Sequence, residues 1–166
     1  MECFMDNTHL KPIEFWPLAH ERIKHWLEAR QALLITFCEL STVKDFHDTN
    51  LSQGKLLQRF CQQLVDYISE GHFEIFEELI NEGHLFNDDE ALASGKKLLP
   101  ALYALTDVIL DFNDKYLATD DLLSLAIDLS NLGERLAQRF EIEDRMVNIL
   151  HSVHYQQVLF PSKVAN

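Results

Sequence analysis

Apolar positions recur along this chain at intervals of three and four residues, the spacing that puts side chains on one face of an α-helix. From Trp16-Pro17 to about Leu40, the residues Ile23, Trp26, Leu27, Leu33, Leu34, Phe37 and Leu40 keep that spacing and predict a first long helix. Residues 41–53 are polar, carry Ser, Thr, Asp and Asn, and predict a loop. A second helix is expected from roughly Gly54 to Ser69, with Leu57, Phe60, Cys61, Leu64 and Ile68 facing inward. Gly71 marks a break or kink, and a shorter helix carrying Phe73, Phe76, Leu79 and Ile80 follows to about Glu82. Asp88 or Asp89 suits the N-cap of the next segment, whose seam is clear at Leu102, Leu105, Ile109, Phe112 and Tyr116. Pro100 lies early in it and predicts a kink or a restart.

Thr119 or Asp120 is expected to cap the last and longest helix, which runs to about His151. Two heptad series predict its buried face: Leu122, Leu129, Leu136, Glu143 and Leu150, with Ala126, Gly133, Phe140, Val147 and His154. Nothing reads as a strand. The expected fold is all-α, an up-and-down bundle of long antiparallel helices with a few short extra ones. It forms one domain over residues 1–166, with an irregular arm at 1–17 and a tail at 155–166.

Composition adds a sign to this frame. The chain has 27 acidic residues against 14 basic ones, a formal charge of −13. Such a protein is repelled by nucleic acid and by anionic lipid, so neither is an expected direct partner, and basic protein surfaces are. Cys3, Cys38 and Cys61 are odd in number and lack a Cys-x-x-Cys spacing, which favours a reducing compartment over a disulfide framework. The start, MECFMDNTHL, lacks the basic-then-apolar pattern of a signal peptide, and no run approaches the roughly 18 apolar residues of a membrane span. A cytoplasmic protein is expected.

Three features stand out. No Lys or Arg occurs between Phe60 and Gly95, and five acids there recur at four-residue spacing: Asp66, Glu70, Glu74, Glu78 and Glu82. Four residues slightly exceed one turn, so these acids form a slanted stripe that wraps the helix. Like charges so placed cost roughly 0.2–0.5 kcal/mol per pair, so the stripe is either a solvated face or a surface in use. Second, Arg30 falls in line with Ile23 and Phe37, and Glu143 in line with Leu136 and Leu150. Each needs a partner or a wet opening, and the two can meet if the first and last helices adjoin, with Tyr67 or another polar group completing the contact. Third, histidine occurs eight times, and His151 and His154 lie one turn apart. That spacing suits a weak metal site or simply hydrogen-bonded histidines, and no metal is expected.

Enzymatic signatures are missing. There is no repeated Glu-x-x-His for a di-iron bundle, no His-Glu-x-x-His, no Gly-x-Ser-x-Gly and no P-loop. No cofactor is expected. Histidine phosphotransfer domains are helical bundles with one exposed histidine, and His72 is a candidate for that role. The residues after it, Phe73, Glu74, Ile75 and Phe76, supply no cation, and Glu74 would repel a phosphoryl group. An acidic adaptor for another signalling protein is the remaining alternative.

The segment FCQQLVDYISEGHFEIFEEL from Phe60 resembles the regulator of sigma D family, which includes the alginate regulatory protein AlgQ. Leu64, Val65, Asp66, Tyr67, Ser69, Gly71, His72 and Phe73 carry that resemblance most strongly. A second block, LGERLAQRFEIEDRMV from Leu132, looks like the family's late helix, and WLEARQALLITFCEL from Trp26 like its early one. The resemblance implies a non-enzymatic anti-sigma factor that binds, as a monomer, the primary sigma factor of bacterial RNA polymerase. It implies contact chiefly with region four, blocking that region's access to core polymerase and the −35 element and favouring sigma exchange in stationary phase. The residues it nominates for the contact are Asp66, Tyr67, Ser69, Glu70, His72, Phe73, Glu74, Phe76 and Glu77. Tyr67 and Phe76 suit either the interface or the core.

Overall fold

The computed structural model describes residues 10–46 and 51–161. It is a helical bundle, with no strand among the described residues. Helix α1 spans Pro12–Ser41, α2 Leu51–Glu70, and a π-helical turn, Gly71–Ile75, joins α2 to α3, Phe76–Leu85. Then come α4, Asp89–Lys96, α5, Leu99–Ala118, and α6, Leu125–Leu150. A short 3₁₀ turn, Ser152–His154, leads into α7, Tyr155–Leu159.

Cross-helix contacts give the topology. Trp26 stacks on Tyr67 while Phe37 meets Phe60, so α1 and α2 run antiparallel. Phe60 meets Phe112 and His72 meets Tyr103, which does the same for α2 and α5. Arg139 reaches the Leu102 carbonyl and Tyr116 reaches Asp128, pairing α5 with α6. Trp16 at His151 and Arg30 at Glu143 close the ring between α6 and α1. The connectivity is up-and-down, as the seams predicted.

The helix ends differ from the expectation in instructive ways. Residues 12–17 are not irregular: they open α1, with Phe15 and Trp16 buried. Pro12 occupies a first-turn position where a missing N–H costs nothing, and the Glu14 carboxylate accepts from the Lys11 N–H at 3.1 Å. At 30 residues α1 is therefore longer than α6, which has 26. The remaining arm, residues 1–9, lies outside the described residues, as do 47–50 and 162–166. Helix α2 starts three residues before Gly54. Pro100 restarts the chain as α5 without a kink, since it sits in that helix's first turn. Thr119 does not cap α6. Its hydroxyl accepts from the Asp121 N–H at 3.1 Å and the Asp121 carboxylate accepts from Leu123 N–H at 3.0 Å, so these residues are spent on local turns. Helix α6 begins after Ser124. Asp88 does cap α4, accepting from the Ala91 N–H at 3.0 Å. Part of the expected tail is helical, as α7.

The α6 seam also moves. Leu129, Leu136, Glu143 and Leu150 are buried as predicted, but the partner series is Leu125, Leu132, Arg139 and Met146. Ala126 is exposed, and Gly133, Phe140 and Val147 are only half-buried shoulders. Positions three residues on, not four, complete the true seam, and an arginine in that series hides it. On α1, Leu34 is likewise exposed.

Gly71, at the start of the π-helical turn, packs tightly against Trp26 of α1. A Cβ there would lie 3.0 Å from Cζ2 of Trp26, whose indole N–H donates to the Tyr67 carbonyl at 3.2 Å and cannot retreat. Gly71→Ala should therefore destabilise the protein by about 1–3 kcal/mol. Gly54→Ala, whose Cβ meets nothing within 4 Å, should stabilise it by about 0.5–1 kcal/mol. Thermal melts of the two variants check the pair, and equal effects would show that the Trp26 contact is not limiting.

Candidate functional site

The acids at four-residue spacing do not share one environment. Asp66 and Glu74 are exposed, Glu70 and Glu78 are half-buried, and Glu82 is fully buried. A four-residue step overshoots an α-helical turn by about 40°, so along α3 the stripe turns from half-buried Glu78 to Glu82 inside the bundle, whereas across the π-helical turn it returns to the surface at Glu74. Glu78 pairs with Arg22, and Glu70 lies 3.8 Å from the His25 ring. Partial burial and the charge of Glu74 hold the Glu70 carboxyl above its ordinary pKa. Glu77 is exposed beside them, and Ser69 is half-buried.

The π-helical turn sets what projects from this surface. Gly71 and Ile75 point inward, whereas Phe73 between them is 63% exposed. His72 packs edge-on against Phe73 and Tyr103, with its Nδ1 enclosed and unpaired. Next to it, an open cleft of about 320 Å³ is lined by His72, Phe76, Glu77, Ile80, Asn81, His84, Leu99 and Tyr103. Tyr67 and Phe76 answer the question left by the sequence: they are 1% and 3% exposed, so both belong to the core and neither presents a surface. Each lies on the α1-facing side of its helix, where Tyr67 stacks on Trp26 and Phe76 meets the same indole edge-on.

Beneath the face, Glu143 is the acceptor for three donors. Arg30 Nη2 lies 2.9 Å from one carboxylate oxygen, and the Tyr67 hydroxyl donates to the same oxygen. Arg139 Nε donates to the other at 2.6 Å. Arg30 Nε donates to the Tyr67 oxygen at 2.9 Å, and Nη1 reaches out to Asp144 at 2.6 Å. Its guanidinium sits 4.7 Å from the Phe140 ring centroid. Arg139 also binds the Leu102 carbonyl and the Thr106 hydroxyl, tying α5 to α6. Burial raises the Glu143 pKa, but Arg139, Tyr67 and Arg30 all favour the charged form, and with two guanidiniums against it the group is a carboxylate. Burial and Glu143's charge push the Tyr67 phenol up, so it stays a donor.

Arg30 and Glu143 thus meet, with Tyr67 between them. The residue missed by reading the sequence is Arg139, 0% exposed and equally part of the hub. Its signal was there: Leu125, Leu132 and Met146 extend a heptad in which Arg139 is the remaining member.

A profile described as regulator of RNA polymerase sigma(70) subunit, Rsd/AlgQ, matches residues 8–151. The chain belongs to the Rsd/AlgQ family. It is similar to "Regulator of sigma D" of Pectobacterium carotovorum subsp. carotovorum, 36% identical over 134 residues, covering 78% of this chain and 87% of that protein. The proteins of the same name from Shigella dysenteriae serotype 1 and Escherichia coli O139:H28 are 34% identical, covering 78% of this chain and 83% of each. The Rsd/AlgQ match takes in the acidic face and the whole charge hub, and stops before the 3₁₀ turn and α7. No helix among the described residues is long and apolar enough to cross a membrane.

The hub predicts a graded response. Glu143→Leu strands the buried Arg139, while Arg30 keeps Asp144, and should cost roughly 3–5 kcal/mol; Arg30→Met leaves Arg139 to neutralise the carboxylate and should cost less. Because Arg139 is the more deeply buried, Arg139→Met should restore stability to the Glu143→Leu protein more fully than Arg30→Met does. Denaturant melts of the five proteins decide it, and additive losses would mean that the charges do not interact.

Proposed function

We propose that this protein is an anti-sigma factor that binds the primary sigma factor of bacterial RNA polymerase, one to one, through the exposed acidic face at residues 66–77. The observation that carries the reading is Phe73, an aromatic ring 63% exposed and set among Asp66, Glu70, Glu74 and Glu77 on a segment without Lys or Arg. An exposed aromatic supplies contact area and affinity, and the surrounding charge steers a basic partner and selects against acidic ones. Sigma region four suits that chemistry, because a helix-turn-helix that docks on DNA phosphates presents a basic surface. A protein covering it would compete with −35 DNA and with core polymerase, act in the cytoplasm, and favour exchange to the stationary-phase sigma factor. The names of the similar proteins agree with a sigma regulator.

In this reading Ser69 and His72 border the contact, and Tyr67 and Phe76 support it from the core. Phe73→Ala should weaken binding to the purified primary sigma factor by tenfold or more, about 1.4 kcal/mol. Asp66→Lys with Glu74→Lys should weaken it several-fold while leaving helicity unchanged. Association should slow as salt rises, with dissociation much less affected. Unchanged affinity in both variants, or a salt-insensitive association rate, would remove the acidic face from the interface.

A further inference from the structure

A second chain of titratable groups lies at the opposite end of α3 and plays no part in the face above. His20 Nδ1 is 3.0 Å from His151 Nε2, and His151 Nδ1 is 2.6 Å from Glu82 Oε2. The other Glu82 oxygen is 3.0 Å from His154 Nδ1, and His154 Nε2 is 3.0 Å from Asp88. Glu82, His151 and His154 are 0–2% exposed. Five groups from α1, α3, the α4 cap, the end of α6 and the 3₁₀ turn are thereby joined in one line. Trp16 stacks on His20 and His151, Tyr155 of α7 leans on Trp16, and Phe86 stacks on His154. Lys24 and Glu28 line the groove beside His20 and His151, and His84 on α3 is exposed.

The geometry fixes the protons. His154 faces a carboxylate oxygen at each ring nitrogen, so both nitrogens carry hydrogen and the ring is an imidazolium. Its charge balances the buried Glu82, while His151 donates to Glu82 from Nδ1 and meets His20 at Nε2. We propose that this line is a proton-operated latch that holds the 3₁₀ turn against α3 and the α4 cap, and with it α7 on α1, while His154 is charged, and frees the segment 152–159 when the pH rises. A neutral His154 has one N–H for two carboxylates. Either Glu82, which no water reaches, or Asp88 then faces a bare nitrogen lone pair. Burial works against the charged ring, but its hydrogen bonds to Glu82 and Asp88 outweigh that and hold its pKa above the ordinary value. The stabilisation is therefore complete below about pH 6.5 and is lost as pH climbs through the higher folded value. Trp16 still donates to the His151 carbonyl at 3.1 Å, so opening is confined to the C-terminal segment.

The test is hydrogen exchange of the full chain between pH 6 and 9, corrected for intrinsic rates, with NMR titration of the histidine rings. Amides of 152–159 should open about tenfold more readily across the His154 transition, while those of α2 and α5 stay protected. His154→Gln should leave the segment open at every pH. Asp88→Asn keeps the α4 cap and should move the transition to lower pH, which decides the matter even if the His154 variant folds poorly. His20→Gln should leave the alkaline transition in place. Flat protection in the unmodified protein, or the same midpoint in Asp88→Asn, would overturn the latch.

Discussion

A carboxylate buried among packed helices is tolerated only when its lone pairs are met and its charge is balanced. Glu143 meets that condition through partners on two other helices, Arg30 on α1 and Tyr67 on α2, and through Arg139 one turn before it on α6. Arg139 in turn binds α5 through Leu102 and Thr106. Each of the four long helices therefore contributes to one contact, and a slip of any one by a single residue would break an ion pair or leave buried hydrogen-bonding groups unpaired. Leucine seams alone permit several registers of a bundle. This hub permits one.

That constraint reaches the surface through Tyr67. Its hydroxyl is fixed by Glu143 and Arg30, its ring stacks on Trp26 at 5.0 Å, and its carbonyl accepts from the Trp26 indole. With Trp26 so held, a side chain at position 71 would press on the indole as the following turn approaches α1, and the π-helical geometry of Gly71–Ile75 turns Phe73 outward. The exposed aromatic proposed to anchor the partner is thus placed by buried charges beneath it. Tyr67 and Phe76 act on that surface as supports, not as contacts.

The fold was largely legible because four amphipathic seams of this length have few ways to bury themselves. The meeting of Arg30 and Glu143 was legible too, since a charge on an apolar seam demands a partner. Arg139 was not, because a series of three apolar residues and one arginine reads as a broken seam. The acidic stripe was legible as a repeat but not as an environment: its own rotation takes Glu82 to the interior, where His151 and His154 receive it. The start of α1 was obscured by Pro12 and Pro17, which suggest irregular chain until the packing of Phe15 and Trp16 is known. The histidine line joins residues as far as 131 apart in sequence, and the one-turn spacing of His151 and His154 was its only local trace.

The proposed function puts the sigma factor on the face built over this hub. Hydrogen exchange of the protein bound to full-length primary sigma factor, and to the same factor with region four deleted, tests it most directly. Slowed exchange confined to residues 66–77 and the adjoining α3–α5 cleft, and absent with the deleted factor, is the predicted result. A footprint on another face, or undiminished binding without region four, would contradict it.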